Sequence, residues 1–248
     1  HQQEGNTDAA KACFQEVLTK VPETPYAALL LETLDEIHRE PETDAFWVRL
    51  IEMHPEAAVP WLYHGLALKR AGEMDRAKEA FQRSHGNNPQ WGLPLVHLGD
   101  LLLGNGDIVK GTEYLNQALT LQDTLAPEVA QAYSRAAQLF QEQGKLKEAV
   151  ALSEKALEMA PYDLWNLVRI GEIHQQEGNT DAAKACFQEV LIKAPESPYT
   201  AGRLQALFTA ERDAQAEAFW RYLAELHPEA QLPRDYLAKR GALYGAAE

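Results

Sequence analysis

With 248 residues, 46% of them hydrophobic, and a net charge of −14, the chain can bury a continuous core but lacks the basic surplus of a nucleic-acid binder. No apolar run approaches the ~20 residues that a membrane-spanning helix needs. No charged-then-apolar start resembles a leader, yet the chain opens at His1 rather than Met. A longer parent and a removed leader therefore both stay open, with the cytoplasm the favoured compartment and the periplasm the alternative. The acid surplus reads most simply as a solvated surface that keeps an extended molecule soluble.

Apolar residues recur with helical periodicity along the chain, and Gly and Pro divide it into helix pairs. Residues 1–22 read as half a pair. His1 to Glu4 form the last turn of a first helix and Gly5 the turn. Ala10, Phe14 and Val17 then form the apolar stripe of the second helix, which Pro22 ends. Residues 25–57 form a degenerate pair, with helices over Tyr26 to Arg39 and Thr43 to Met53 and with Glu40-Pro41-Glu42 in place of a glycine turn. Pro at a helix start is tolerated because its missing N–H would be unpaired there. Residues 58–91 hold the clearest unit: Trp61, Gly65 and Leu68 mark one face of its first helix and Gly72 the turn. Ala77, Phe81 and Ser84 mark the second helix, and Pro89 is the stop.

Residues 92–129 repeat the pattern with Leu95, Leu98-Gly99, Leu102, Gly106, Gly111, Leu115 and Ala118, and lengthen the next connection over Gln122 to Pro127. Residues 130–163 carry Tyr133, Ala136-Ala137, Phe140, Gly144, Ala149, Ala156 and Pro161. Residues 164–197 carry Leu167, Ile170-Gly171, His174, Gly178, Ala183, Phe187, Val190 and Pro195. Residues 198–230 are degenerate again, with Trp220 and Leu223 on the second helix. Residues 231–248 read as a capping helix over Leu232 to Tyr244, fraying from Gly245 onward.

A larger repeat overlies this one. Residues 1–57 match residues 174–230 at a constant offset of 173, with 36 of 57 positions identical, and HQQEGNTDAAKACFQEVL recurs unchanged from His174 to Leu191. The simplest origin is duplication of a block of five units, which predicts a parent array longer than this chain. The two cysteines, Cys13 and Cys186, stand at equivalent points of the two copies. Each is expected to be a half-buried small residue, since a disulfide would need Cα atoms within roughly 7 Å.

The unit at 58–91 resembles a tetratricopeptide repeat, whose pattern of about 34 residues sets a bulky residue, Leu-Gly, Ala, Phe and Pro at fixed offsets. His64 stands where the family usually has Leu, and Ser84 where it usually has Ala. The resemblance extends over essentially the whole chain and is similar to what a bacterial array would show. It implies an all-α fold, a right-handed superhelical solenoid of antiparallel helix pairs, in which each pair buries its apolar stripe against the next. It also implies that the second, fifth and sixth positions of each unit face a concave groove. Here the second positions are Tyr26, Val59, Leu93, Gln131, Trp165 and Tyr199, and the sixth are Leu30, Tyr63, His97, Arg135, Arg169 and Arg203. The expected peptide-binding residues are thus Tyr63, His97, Arg135, Trp165, Arg169, Tyr199 and Arg203. An acidic or carboxylate-ended peptide is the ligand that spaced guanidinium groups beside aromatic rings would hold. The competing reading is that each arginine pairs with a nearby glutamate, such as Glu172 or Glu142. The Asn-and-Lys set with which some relatives clamp a chaperone's terminal carboxylate is incomplete here, with Leu62 and Leu66 where polar residues would be wanted.

No enzyme constellation is present: there is no HExxH, no CxxC, no Gly-rich phosphate loop and no Gly-x-Ser-x-Gly. No cofactor or metal is expected. His54 and His227 read as helix ends, His1 and His174 as copies of one helix-end or groove-side position, and His64 as a packed, hydrogen-bonded core residue. The leading function is a non-catalytic protein–protein interaction scaffold that binds peptide segments. One alternative is the substrate-recruiting domain of a larger enzyme such as a glycosyltransferase. Another is an accessory in assembling or exporting a bacterial cell-surface polymer. Finally, the helix over Thr7 to Lys20 lacks most of its partner helix, so Ala10, Phe14 and Val17 form a candidate self-association edge.

Overall fold

The computed structural model of the chain describes residues 2–38, 41–208 and 214–244, with no side-chain description at 2–6, 35–38, 41–43, 214 and 240–244. Arg39, Glu40 and the expected frayed end from Gly245 lie outside the described residues. Those residues form helices only. They are α1 (Gln2–Lys20), α2 (Pro25–His38), α3 (Pro41–Met53), α4 (Ala58–Arg70), α5 (Met74–Asn87), α6 (Leu93–Gly104) and α7 (Ile108–Leu121). A 3-10 turn at Asp123–Leu125 follows, then α8 (Ala126–Glu142), α9 (Leu146–Met159), α10 (Leu164–Gln176), α11 (Thr180–Lys193), α12 (Pro198–Leu207), α13 (Ala214–Leu226) and α14 (Leu232–Tyr244). The chain is therefore all-α and built of helix pairs. It divides into two compact units, His1–Ala132 and Tyr133–Glu248, with the boundary inside α8.

Four pairs share one turn. Gly72, Gly106, Gly144 and Gly178 have φ of +80°, +87°, +73° and +79°, a left-handed conformation that costs a residue with a Cβ roughly 1 kcal/mol or more. At the first of them Gly72 N–H donates to Lys69 O (3.1 Å) and Glu73 N–H to Leu68 O (2.9 Å). This is the double closure that satisfies the last carbonyls of a helix ended by glycine. The same two bonds recur at Gly106, Gly144 and Gly178. The 3-10 turn at Asp123–Leu125 takes up the longer connection before α8.

In the first unit α4 and α5 meet where Gly65 approaches Phe81 so closely that a Cβ on the glycine would lie 2.6 Å from ring atom Cε1. α6 and α7 meet through two glycines: a Cβ on Gly99 would be 2.9 Å from Gly111 O, and one on Gly111 would be 3.0 Å from Gly99 O. Ser84, in place of the usual Ala, is fully buried and donates from Oγ to Ala58 O at 2.8 Å. α2 and α3 have no glycine at their contact and are held by Trp47, which is buried, stacks on Tyr63 at 5.0 Å, and donates from Nε1 to buried Glu32 at 2.8 Å. Arg70 closes an ion pair onto Glu32 at 2.7 Å.

The second unit repeats these devices. Gly171 approaches Phe187 (2.7 Å from a Cβ to Cε1) where α10 meets α11. Trp220 stacks on Tyr236 at 4.4 Å and donates from Nε1 to Gln205 at 3.2 Å. Glu196 accepts from the N–H of Gln231 just ahead of α14, as Glu23 does from Ala58 at the start of α4. Trp220, Tyr236 and Gln205 stand 173 residues after Trp47, Tyr63 and Glu32, so α14 occupies in its unit the place of α4. The offset seen over 1–57 thus continues in three dimensions beyond the region of high identity.

Three local expectations are corrected. α1 runs unbroken from Gln2 to Lys20 through Gly5, although its copy turns at Gly178. Cys13 is exposed rather than half-buried, whereas Cys186 is half-buried, with its Cβ 3.1 Å from where a Cβ on Gly171 of α10 would be. His64 is half-buried and stands edge-on to Trp61 at 6.5 Å, but its Nδ1 finds no hydrogen-bond partner. Burial, and secondarily the charge of Arg76, holds its pKa below the ordinary 6.5.

Replacing Gly171 by Leu is expected to destabilise the second unit by about 1–3 kcal/mol, the usual cost of overpacking, read as a lowered urea midpoint. His64→Leu should stabilise by roughly 0.5–1 kcal/mol by removing an unpaired buried polar atom. Because the folded state holds His64 below its unfolded value of 6.5, the native chain binds fewer protons there. Its stability therefore falls as pH drops through 6.5. The gain from His64→Leu should accordingly be larger at low pH than at neutral pH, as measured by parallel denaturation curves.

Candidate functional site

A cluster of exposed aromatic and charged groups lies in the second unit, at the start of α10 and α12. Asp163 caps α10: its carboxylate accepts from Trp165 N–H at 3.3 Å and from Asn166 Nδ2 at 3.0 Å. Asn166 is completely buried, and its Oδ1 accepts from Arg169 Nη1 at 3.1 Å. A chain of hydrogen bonds thus runs from the helix cap to the guanidinium. Burial lowers the pKa of Arg169, opposed by the charges of Glu172, Asp163 and Glu142; an arginine so placed stays protonated all the same.

One turn on, Tyr199 of α12 donates its hydroxyl to Glu172 and accepts from Arg203 Nε at 3.2 Å. Arg203 pairs with Glu172 at 2.8 Å and lies over the Tyr199 ring at 5.4 Å. The bond to Tyr199, with the glutamate behind it, raises the pKa of Arg203. Trp165 and Tyr199 stand with ring centroids 5.9 Å apart, and both rings face solvent, at 65% and 46% exposure. With Ser134, Gln138, Gln141, Glu142 and Val168 they line a hollow of about 520 Å³. It is an open hollow with aromatic faces, guanidinium donors and carboxylate acceptors, able to hold a polypeptide segment by stacking and by bonds to its backbone.

The expected groove residues separate into groups. Trp165, Arg169 and Tyr199 line this hollow, and Arg203 braces it through Tyr199 and Glu172. Arg135 is exposed on α8; its neighbour Ser134 lines the hollow, and it does not. Tyr63 is 5% exposed beneath Trp47, with burial and then the charge of Glu32 pushing its hydroxyl pKa up, so it sits in the core of the first unit. His97 is half-buried and stacks on Phe81 at 5.2 Å. On α1, Ala10 and Phe14 are half-buried and Val17 is 42% exposed. Sequence reasoning named Glu172 as an arginine partner but missed the Asp163–Asn166 relay. The available signal was an Asp directly ahead of an apolar helical run, which marks an N-cap.

Among the described residues no group of three or more His, Cys, Asp or Glu side chains is placed to hold a metal ion, and no helix is long and apolar enough to cross a membrane.

Three family profiles, each described as tetratricopeptide repeat, match residues 61–90, 93–161 and 140–207. Among solved structures, the C-terminal part of a repeat-containing protein from Cytophaga hutchinsonii superposes with a TM-score of 0.56 at 16% identity, over 94% of this chain and 95% of that one. The pilF protein of Pseudomonas aeruginosa gives 0.51 at 14% identity, over 96% and 91%. A chain of the APC/C Cut9–Hcn1 hetero-tetramer gives 0.51 at 15%, over 95% of this chain; the chain spans only 46% of that one. At these identities the likeness concerns the fold alone. No curated protein sequence matches the chain. Helix pairs closed by glycine turns, repeated small-residue contacts and profile matches that together run from residue 61 to 207 agree: the chain belongs to the tetratricopeptide repeat family.

Proposed function

We propose that the protein is a non-catalytic scaffold that holds an extended peptide segment in the hollow of its second unit. Trp165 and Tyr199 serve as anchors, and Arg169 and Glu172 read the peptide backbone and its polar groups. The observation that carries this reading is the pair of solvent-facing rings 5.9 Å apart above a fixed array of donors and acceptors. Large aromatic anchors next to arginine are the groups that dominate protein recognition, and neither ring is used in packing the core. An acidic or carboxylate-ended ligand would draw on Arg169 first, because Arg203 already holds Glu172. With Glu142, Asp163 and Glu172 close by, a ligand read through its backbone and an apolar side chain fits the hollow better than a strongly acidic one.

A phage-displayed library of random peptides, selected on the whole chain, tests this. Enriched peptides should lose binding by about 1–3 kcal/mol with Trp165→Ala or Tyr199→Ala, measured by calorimetry. Trp165→Ala should change thermal stability by no more than about 0.5 kcal/mol, as expected of an exposed side chain. Arg135→Glu, Arg169→Glu and Arg203→Glu separate the ligand classes. An acidic ligand loses affinity with Arg169→Glu and keeps it when Glu142 is changed, whereas a backbone-read ligand is governed by the rings. Peptides whose binding ignores both rings and all three arginines would sink the proposal.

A further inference from the structure

Arg135, Arg169 and Arg203 lie 34 residues apart, yet their surroundings send them to different ends. On a helix the residue three places earlier is a neighbour one turn back. It differs each time: Ala132, Asn166 and Thr200. The Ala132 side chain is fully buried and offers no acceptor. Thr200 is 1% exposed and its hydroxyl accepts from Ser197 Oγ at 2.9 Å, and Arg203 turns instead to Glu172 and Tyr199. In α10 the neighbour itself holds the arginine: Asn166 Oδ1 accepts from Arg169 Nη1 at 3.1 Å.

Asn166 is 0% exposed, and both ends of its amide are used. Nδ2 donates to Asp163 Oδ2 at 3.0 Å while Oδ1 receives Arg169. A buried amide satisfied at both ends is fixed in orientation, so the guanidinium it receives is fixed as well. Arg169 is half-buried, and Glu142, Asp163 and Glu172 line the same hollow. A guanidinium among carboxylates gains most by closing a two-pronged pair on one of them. Among the described residues Arg169 closes no ion pair, and its one hydrogen bond is the one to Asn166. That bond goes to a neutral oxygen. It occupies one N–H and leaves the others of the fork uncommitted.

We infer that Asn166 is the residue that makes Arg169 available to a ligand: its amide, fixed by Asp163, holds the guanidinium off the surrounding carboxylates and keeps its remaining donors for a peptide in the hollow. This rests on the reading of the hollow as a peptide site, and it adds which arginine binds and why. Asn166 acts through Arg169 and is a positioning residue. Arg203, held by a glutamate in place of an amide, serves only to brace Tyr199.

Two substitutions remove the hold. Asn166→Leu keeps the side chain similar in size, and Asn166→Thr installs the residue that α12 already buries at the equivalent place. In crystal structures of both variants Arg169 should move into an ion pair with Glu142, Asp163 or Glu172. An Arg169 that stays in place overturns the inference, whatever peptide binds. For binding, the probe is the peptide most enriched by phage selection on the native chain, measured by calorimetry. Asn166→Leu, Asn166→Thr and Arg169→Leu should each weaken it about tenfold. Asn166→Leu combined with Arg169→Leu should bind no more weakly than Arg169→Leu alone, since one residue acts through the other; a merely structural role gives losses that multiply. Binding that depends on Trp165 and Tyr199 but survives both Asn166 variants, or losses that multiply, overturns the positioning role and leaves the peptide site standing. Binding indifferent to both rings defeats the peptide site itself, and the variant structures then decide what Asn166 does.

Discussion

The fold depends on one short-range constraint: two helices of a pair can bury their apolar stripes only if one of them presents almost no side chain at the crossing. At Gly65 against Phe81 and Gly171 against Phe187 the ring occupies the space a Cβ would need, and at Gly99 and Gly111 both helices yield. The glycine turns at Gly72, Gly106, Gly144 and Gly178 bring the chain back at the angle this approach requires. Where the small residue is missing, as between α2 and α3 or between α12 and α13, a tryptophan takes over the packing and its indole N–H must then be satisfied. Glu32 and Gln205 do so. Replacing glycine by tryptophan therefore brings a buried polar partner with it, which is why a buried glutamate with its own arginine appears in the first unit.

The duplication acts as an internal control on the physics. Identical residues behave alike where their surroundings are alike: Glu23 and Glu196 both receive a helix-start N–H, and Trp47 and Trp220 both stack on a tyrosine. They diverge where the surroundings differ. The stretch Gln2–Leu18 lies within one helix, while the same residues from Gln175 to Leu191 pass through a turn. A glycine permits a left-handed turn but does not impose it; the packing of α10 on α11 decides.

Electrostatics in the second unit follow from the acid surplus of the whole chain. An arginine at each of three equivalent positions suggests a cationic track, but Arg203 is spent on Glu172 and Tyr199, and Arg169 is fixed by Asn166 among carboxylates. What faces solvent at the hollow is a pair of rings with donors and acceptors beside them. Such a surface favours contacts that bury aromatic area and satisfy a peptide backbone, and it gives little discrimination by net charge.

The helix pairs, their glycine turns and the family were legible in the sequence, because helical periodicity and the positive-φ requirement are local properties written into residue type and spacing. That Trp165, Arg169, Tyr199 and Arg203 lie close together was legible as well, since they occupy the same two positions of neighbouring repeats. Tyr63 was legible only as a position: that it lies under Trp47 depends on a degenerate pair whose tryptophan needs a stacking partner. The Asp163–Asn166–Arg169 relay and the Glu172–Arg203–Tyr199 cluster were decided by tertiary structure, because hydrogen-bond partners on neighbouring helices are set by how closely the backbones pack. The same holds for the duplicated stretch: Cys13 and Cys186 have identical neighbours along the chain yet differ in burial, because burial is set by the helices packed alongside and not by the residues before and after.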